Sequence, residues 1–233
     1  MDDVDSPPSD GPVWAIVLAA GSGRRYGAQP KQYELLGGER VIDRALSTCR
    51  AAADHVIVVL APGEDAVGEQ LVADGGADAF VIGGAERSDS VRSALAVIDE
   101  EAAVILVHDA ARPLASAALH EAVVAAVHAG ADAAIPAVAV IDTIKKVRID
   151  TDGTPVVAAT LDRGELMAVQ TPQAFRAEVL HRAHVGATDA TDDAALVEAD
   201  GGRVVLVPGE TTNIKITGPE DLAVASVLLS ALG

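Results

Sequence analysis

A loop of small residues followed by cations is the first stretch of this sequence that could do chemistry. The apolar run 13–18 predicts a buried strand, and the residues that follow it are Ala19, Ala20, Gly21, Ser22 and Gly23. Small residues let backbone N–H groups come close to a ligand, and Arg25 and Lys31 add the positive charge that attracts phosphates. The pattern predicts a loop that binds the phosphates of a nucleoside triphosphate.

Two better-known glycine loops do not match this stretch. The Walker A pattern needs a Gly-Lys-Ser/Thr step after Gly21, and that step is missing. The dinucleotide fingerprint needs a third glycine where Tyr26 stands. A strand-to-helix turn that is merely rich in glycine is the alternative. Lys31 directly follows Pro30, which restrains the backbone there, and this favours the phosphate-binding interpretation.

An aspartate follows a second buried run. Residues 102–107 are apolar and predict a strand, and His108 and Asp109 come directly after them. A carboxylate at a strand end that faces a phosphate loop is well placed to hold Mg²⁺, which prefers carboxylate and phosphate oxygens. A helix-start or turn carboxylate is the equally open alternative. We interpret His108 as a hydrogen-bonded strand-end histidine rather than as a base.

A Gly-Gly turn forms the third candidate segment. Gly83 and Gly84 follow a short predicted strand, and Ser88 or Asp89 is expected to cap the helix that comes next. Beside the first loop, such a turn could read the edge of a base through its backbone groups, assisted by the Ser90 hydroxyl. Helix capping alone is the structural alternative.

A lysine lies in an apolar segment near the end of the chain. We expect residues 213–217 to form a strand, in which a lysine is costly unless an anion meets it. Lys215 is therefore a candidate ligand for a substrate phosphate. His120, His128, His181 and His184 are predicted to lie on helix faces without converging carboxylates or cysteines. The neighbours His181 and His184 are therefore a weak metal-site candidate.

Strands that alternate with helices of about ten residues position these segments. The alternation predicts an α/β fold, a three-layer sandwich with a mostly parallel sheet. Right-handed crossovers place the loops that follow parallel strands along one rim of the sheet. We therefore expect the functional residues to lie in 19–31, 83–90, 108–113 and the loops beyond residue 160.

The alternation breaks once, at residues 141–160. Polar and apolar residues alternate there around Asp152 and Gly153, a strong hairpin signal. We predict a β-arm (residues 141–160) that leaves the main domain. Because an isolated two-stranded hairpin is marginal in water, the β-arm should pack against another subunit. We expect residues 1–12 to be a disordered acidic tail and 13–233 to be a single domain.

Composition narrows the class of protein. The chain has 233 residues, 50% of them hydrophobic, which is enough for a substantial core. A net charge of −18 argues against nucleic acid and anionic membranes as partners. Cys49 is the one cysteine, which fits a reducing compartment. No apolar run reaches the roughly 18 residues of a membrane span and no signal sequence precedes the domain, so we expect a cytoplasmic protein.

Motifs in a fixed order extend over residues 13–232. They are LAAGSGRR, PKQY, GGAERSDSV, HDAARP, DTIK, DRGELMAVQTPQ, TDD and NIKIT. This set resembles the polyol-phosphate cytidylyltransferase family, and the PKQY form resembles its 2-C-methyl-D-erythritol 4-phosphate branch in the non-mevalonate isoprenoid pathway. The resemblance implies a Rossmann-like nucleotidyltransferase sheet, transfer of CMP from CTP to the polyol phosphate with release of pyrophosphate, Mg²⁺ as cofactor, and a homodimer formed through the β-arm.

The resemblance also implies roles for individual residues. Arg25 and Lys31 would neutralise charge on the phosphates, and Asp109 would hold the metal. The nucleotide would contact the first loop together with Gly84, Ala85, Ser90 and Ala110. The polyol phosphate would contact Arg112, Asp142, Thr143, Arg163, Thr171, Thr191 and Lys215, with Arg163 reaching the neighbouring subunit's site. Ala85 stands where the family often has an acidic residue, so its contact would be made by the backbone.

Two other functions remain open at this point. A ribitol-5-phosphate cytidylyltransferase would share most of these motifs, and a non-catalytic nucleotide-binding module could use the same fold. The presence of Arg25, Lys31, Asp109 and Lys215 together argues against a silent module. We find no nucleophile–base pair near the first loop, which favours nucleotidyl transfer over hydrolysis.

Overall fold

The computed structural model describes residues 11–21, 30–186 and 192–232. Within these residues the strands are β1 (Val13–Leu18), β2 (Leu35–Leu36), β3 (Glu39–Arg40), β4 (His55–Leu60), β5 (Ala79–Ile82), β6 (Val104–Asp109), β7 (Ala133–Ala139), β8 (Lys145–Ile149), β9 (Pro155–Thr160), β10 (Met167–Val169), β11 (Gln173–Arg176) and β12 (Val204–Pro208). The helices are α1 (Val41–Ala52), α2 (Asp65–Ala73), α3 (Arg87–Leu95), α4 (Ala117–His128), α5 (Ala177–His184), α6 (Asp193–Ala199) and α7 (Pro219–Leu232).

One half of the main sheet is parallel. β6, β1, β4 and β5 are neighbours in that order, and each pair runs parallel. β1, β4 and β6 are apolar runs without a polar face, as strands covered on both sides require. Leu18 at the end of β1 pairs in register with Asp109 of β6 and with Val59 of β4. The loops after these strands therefore begin side by side.

The other half of the sheet contains antiparallel strands. β11 lies between β6 and β7 and is antiparallel to both. β10 pairs antiparallel with β7, and β12 runs parallel to β7. β11 was not predicted from the sequence, because its four residues include the buried polar side chains of Gln173 and Arg176 and carry no apolar signature.

Helices cover both faces of the sheet. Ala15 and Val17 of β1 pack in one core with Leu46 of α1 and Val123 of α4. Ile16, which points to the opposite face, packs in a second core with residues of α3, α5 and α6. Each fully buried aliphatic side chain of this size stabilises the fold by roughly 1.5–3 kcal/mol. The predicted three-layer α/β sandwich is confirmed.

The β-arm contains a hairpin that is separate from the main sheet. β8 and β9 pair only with each other in the described part of the chain and form an antiparallel ribbon. Gly153 has a φ of 86° in the turn, a conformation that favours glycine. Val147, Ile149 and Val157 are 58%, 66% and 62% exposed. The hairpin lies where the alternating pattern predicts it, with its apolar side chains uncovered.

Three local expectations differ from the structure or lie beyond it. α3 begins at Arg87 and is capped by Glu86 rather than by Ser88 or Asp89, because Glu86 and Asp89 form a capping box. Residues 213–217 form no strand. Residues 1–10 of the predicted tail lie outside the described residues, while the Pro12 carbonyl accepts a hydrogen bond from the backbone N–H of Ala103 at 3.0 Å.

None of the described helices is both long and apolar enough to cross a membrane.

Candidate active site

A cavity of about 550 Å³ opens at the carboxyl ends of β1, β4, β5 and β6. This is the rim at which open α/β sheets bind ligands. The predicted site residues that line it are Ala19, Ala20, Gly21, Lys31, Gly84, Ala85, Ser90, Asp109, Ala110 and Lys215. Segments far apart in the sequence therefore meet at this rim, as the strand–helix alternation predicts.

The side chain of Gln32 holds the start of the first loop in place. The backbone N–H of Ala19 donates to the Val59 carbonyl at 2.8 Å, which continues the β-ladder past β1. The side-chain amide of Gln32 is buried and donates to the Ala19 carbonyl at 2.9 Å. Gln32 lies in the 3₁₀ turn Lys31–Tyr33, so the same turn supports the loop and places Lys31 in the cavity wall. Gln32 belongs to the PKQY motif, but this supporting role was not predicted from the sequence.

The Gly-Gly turn packs closely against the first loop. A Cβ on Gly83 would lie 2.7 Å from the Cβ of Ala20 and 2.6 Å from Oγ of Ser90. Only glycine allows this approach. Gly84 and Ala85 then line the cavity. The geometry is compatible with the predicted reading of a base through backbone groups.

Asp109 is a nearly buried carboxylate surrounded by cations. Its Oδ2 lies 2.8 Å from Nζ of Lys215 and 3.9 Å from Nε of Arg112. Burial opposes ionisation, but Lys215, Arg87 and Arg112 together outweigh it and hold the pKa of the Asp109 carboxyl below its usual range. Asp109 is therefore ionised at neutral pH.

A single ionised carboxylate on the cavity wall fits one kind of metal site. Mg²⁺ in phosphoryl-transfer enzymes is bound by one or two carboxylates together with the phosphates of the substrate. No group of three or more potential ligands from His, Cys, Asp and Glu occurs among the described residues. The site thus fits a metal that arrives with a nucleotide rather than one held by protein ligands alone.

Lys215 lies on an irregular segment, so its predicted position in a strand is wrong. The backbone N–H of Ile216 donates to the Ala111 carbonyl at 2.8 Å, which fixes this segment beside the loop after β6. The Lys215 side chain is 42% exposed, and Asp109 is the anion that meets it. The ammonium group can therefore reach a ligand in the cavity without a large burial penalty.

A buried network supports Asp109 from behind. Oγ1 of Thr171 accepts a hydrogen bond from the Asp109 backbone N–H at 3.0 Å and lies 3.1 Å from Nδ1 of His108. Nε2 of His108 lies 3.3 Å from the Arg112 carbonyl. Burial lowers the pKa of His108 to about 3, so the ring is neutral and can serve both contacts. His108 is hydrogen-bonded at the strand end, as predicted.

Two predicted substrate ligands take part in internal contacts. Thr171 is buried, and its hydroxyl is used by Asp109 and His108 rather than facing the cavity. Nη1 of Arg112 donates to the Asn213 carbonyl at 2.8 Å, which ties the segment carrying Lys215 to the loop after β6. The structure thus assigns both residues a supporting position behind the cavity wall.

One cation in the cavity wall is not among the residues predicted from the sequence. Arg87 lines the cavity, and its Nη1 lies 2.5 Å from Oδ2 of Asp193. Oδ1 of the same carboxylate lies 3.0 Å from Nε2 of His184. The expectation that His184 meets no carboxylate is therefore wrong. A signal was available, because an arginine in the first turn of a helix opposes the helix dipole and needs a nearby anion.

The structure does not bring the predicted site residues in the β-arm and just after it into the cavity. Asp142, Thr143 and Arg163 are exposed and absent from its lining. Nη1 of Arg163 donates to the Ile141 carbonyl at 2.6 Å, so these residues form a separate group. The predicted site residues Ser22, Gly23, Arg25 and Thr191 lie outside the described residues.

The cavity is suited to an anionic ligand. Lys31, Arg87 and Lys215 line it, against the carboxylates of Glu86 and Asp109. This local excess of cations occurs in a chain whose net charge is −18. The described lining contains no histidine or cysteine that could serve as a nucleophile or base. Such a site can bind phosphates and stabilise charge on them, which is the main requirement of phosphoryl and nucleotidyl transfer.

Comparison with known proteins gives a consistent result. A model of the family described as IspD, 2-C-methyl-D-erythritol 4-phosphate cytidylyltransferase, matches residues 13–231. The cytidylyltransferase of that name from Frankia casuarinae is 47% identical over 224 residues, covering 94% of this chain and 81% of that protein. A bifunctional IspD/IspF enzyme from Anaeromyxobacter dehalogenans is 47% identical over 228 residues, and the chain spans only 57% of its length.

A solved structure supports the same relationship. The crystal structure of 4-diphosphocytidyl-2C-methyl-D-erythritol synthase from Anaerococcus prevotii is similar with a TM-score of 0.79 and 30% sequence identity. The match covers 94% of this chain and 96% of that one. The likeness therefore extends over nearly the whole chain.

Proposed function

The chain belongs to the IspD, 2-C-methyl-D-erythritol 4-phosphate cytidylyltransferase, family, and we propose that it catalyses the reaction for which that family is named. It transfers CMP from CTP to 2-C-methyl-D-erythritol 4-phosphate, giving 4-diphosphocytidyl-2-C-methyl-D-erythritol and pyrophosphate in isoprenoid biosynthesis. The observation that carries the proposal is the cavity at the strand ends, which Lys31, Arg87 and Lys215 line together with the ionised Asp109.

The chemistry needs positioning and charge stabilisation rather than a base. An oxygen of the polyol phosphate attacks the α-phosphorus of CTP, the bond to the β-phosphate bridging oxygen breaks, and pyrophosphate leaves with that electron pair. The attacking oxygen is already anionic, so no proton has to be removed. Lys31 and Lys215, together with Arg25, stabilise the negative charge that builds on the phosphates.

Mg²⁺ is part of this proposal. Asp109 would hold it, since this carboxylate is ionised and faces the cavity. When bound, the ion supplies positive charge to the phosphates of CTP and orients them. The nucleotide would contact the loop Ala19–Gly23 and the turn at Gly84, with Ser90 and Ala110 beside it.

The second substrate leads to a proposed homodimer. Asp142, Thr143 and Arg163 are the polyol-phosphate ligands expected from the family resemblance, yet they lie outside the chain's own cavity. In the β-arm, the apolar residues Val147 and Ile149 share one face of the ribbon and are exposed. Docking of the β-arm against a twofold-related copy would cover this face and carry Arg163 into the partner's cavity.

Mixing inactive variants tests the dimer. Lys31→Ala removes a cation from the chain's own cavity, and Arg163→Ala removes the ligand offered to the partner. In a mixed dimer one of the two sites receives both an intact Lys31 and an intact Arg163, so activity should reappear. If subunits demonstrably exchange and no activity returns, Arg163 serves its own chain. A fully active monomer in light scattering at assay concentration would contradict the dimer itself.

The proposal treats residues 13–233 as one catalytic domain with the β-arm as its extension. We expect the protein to be located in the cytoplasm, the compartment that supplies CTP. The buried and unpaired Cys49 is compatible with a reducing environment.

A pyrophosphate-release assay tests the proposed reaction. The chain is incubated with CTP, Mg²⁺ and either 2-C-methyl-D-erythritol 4-phosphate or ribitol 5-phosphate. We expect release with the methylerythritol substrate and little with ribitol 5-phosphate. A reversed preference would make the chain a ribitol-5-phosphate cytidylyltransferase. Binding of CTP without release in the presence of either substrate would indicate a non-catalytic module.

A further inference from the structure

Arg87 interacts with two carboxylates. It contacts Asp193, and its charge also acts on Asp109. Asp109 in turn meets Lys215. Charges of opposite sign therefore form a row from Asp193 to Arg87 to Asp109 to Lys215, and the last three of these residues line the cavity. Within this row, the placement of Arg87 depends on how firmly Asp193 holds it.

Asp193 is itself fixed by a second partner. Its side chain is 1% exposed, and His184 occupies the carboxylate oxygen that Arg87 does not use. Burial opposes its ionisation, but His184 and Arg87 together hold the pKa of the Asp193 carboxyl below its usual range. Because Asp193 begins α6 and His184 ends α5, the anchor of the Arg87 side chain lies where these two helix ends meet.

We propose that Asp193, held by His184, positions Arg87 to bind the phosphates of CTP. Arg87 has the geometry for this role, since it lines the cavity and its side chain is 27% exposed while one nitrogen is anchored. A guanidinium fixed in this way makes strong charge-assisted hydrogen bonds to phosphate oxygens. Without Asp193, the guanidinium would turn toward Asp109 and compete with the ligand. The inference rests on the proposed function, because it takes CTP as the ligand of the cavity.

Calorimetric titration of CTP at fixed Mg²⁺ measures the effect directly. We expect Arg87→Gln to raise the dissociation constant of CTP about 10- to 100-fold, the typical effect of losing a charged hydrogen bond. Asp193→Asn keeps Arg87 but removes the charge that anchors its side chain, and it should raise the dissociation constant of CTP roughly tenfold. The KM for the polyol phosphate should stay within about twofold of its original value in both variants.

The double variant separates positioning from general stability. If Asp193 acts through Arg87, then Arg87→Gln with Asp193→Asn should bind CTP no more weakly than Arg87→Gln alone. Arg87→Lys keeps the charge and should recover part of the affinity. Arg182→Gln is the matched control, since Arg182 of α5 pairs with Asp200 after α6 at 2.7 Å and does not line the cavity. It should leave CTP binding unchanged.

Several outcomes would overturn the inference. One is an unchanged CTP dissociation constant in Arg87→Gln, which decides the matter even if Asp193→Asn does not fold. Another is an additive loss of affinity in the double variant, which would mean that Asp193 acts independently of Arg87. If the wild-type protein and the variants bind CTP with the expected dissociation constants but the wild-type protein releases no pyrophosphate, the proposed reaction is wrong while the inference stands.

Discussion

Replacement of Lys215 by alanine tests the charge arrangement of the cavity most directly. Nζ of Lys215 lies 2.8 Å from Oδ2 of Asp109, and the lysine side chain is 42% exposed whereas the carboxylate is 12% exposed. The ammonium group thus faces the ligand space while its partner is nearly buried. Loss of one such donor to the developing charge should lower kcat/KM by about 10²–10³-fold, or roughly 2.7–4 kcal/mol of transition-state stabilisation.

The same substitution should change folding stability much less. Because more than a third of the Lys215 side chain is exposed, solvent screens the pair and its contribution to the free energy of unfolding is about 1 kcal/mol or less. Arg87 and Arg112 remain near Asp109 and still favour its charged form. The pKa of Asp109 is lower in the folded state than in the unfolded state, where it is about 3.9. Ionised Asp109 therefore stabilises the fold at a pH above this unfolded-state pKa, and the stabilisation is lost as the pH falls. The stability difference between variant and wild type should therefore be complete at pH 7 and fade below about pH 4.

The assay compares pyrophosphate release and urea unfolding in Lys215→Ala and in a control. Arg50→Ala is a suitable control, because Arg50 pairs with Asp78 at 2.7 Å and lies away from the cavity. The control should lose a similar small amount of stability and keep kcat/KM within about twofold. If folded Lys215→Ala retains kcat/KM within about fivefold of wild type, Lys215 merely neutralises Asp109 and the assignment to phosphate binding is refuted.

Three further predictions follow from the same geometry. Lys31→Ala should lower turnover by about 10²–10³-fold with little change in the unfolding midpoint, and near-normal turnover would make Lys31 an ordinary surface lysine. Asp109→Asn should raise the Mg²⁺ concentration needed for half-maximal activity, because an amide is a poorer ligand for a hard cation; an unchanged titration would place the metal elsewhere. Burial raises the pKa of the Cys49 thiol, so a thiol reagent should modify it only as the protein unfolds in urea. Rapid modification of the native protein would contradict its burial.

The parallel half of the sheet was readable from the sequence. β1, β4 and β6 are unbroken apolar runs, and such a run ends abruptly where the strand leaves the core. The residues that follow β1 and β6 were therefore identified as candidate site residues, whereas Ala61 and Pro62 after β4, which also line the cavity, were not. β11 was not predicted, because a four-residue strand with buried polar side chains is defined by its neighbours β6 and β7 rather than by its own pattern.

Positions on loops were harder to predict than strand ends. Thr171 had the residue type of a substrate ligand, and only the structure shows its hydroxyl between Asp109 and His108. Lys215 was expected on a strand, because its neighbours Ile214 and Ile216 are apolar. In the structure, Ile216 packs into a small separate core with Leu36, Val41 and Leu114. An apolar side chain buried by a loop cannot be distinguished by pattern alone from one buried by a short strand.

The layered fold and the chemical character of the loops at the sheet rim could be predicted from the sequence. Backbone periodicity and residue type are local properties, so they can be recognised without knowing what packs against them. Which charges meet, in contrast, depends on the packing of distant segments. Arg87 and Asp193 are separated by 106 residues along the chain, and their contact depends on how α5 and α6 dock against the sheet. An ion pair requires agreement within a few ångströms, and residue spacing in the sequence carries no information at that precision.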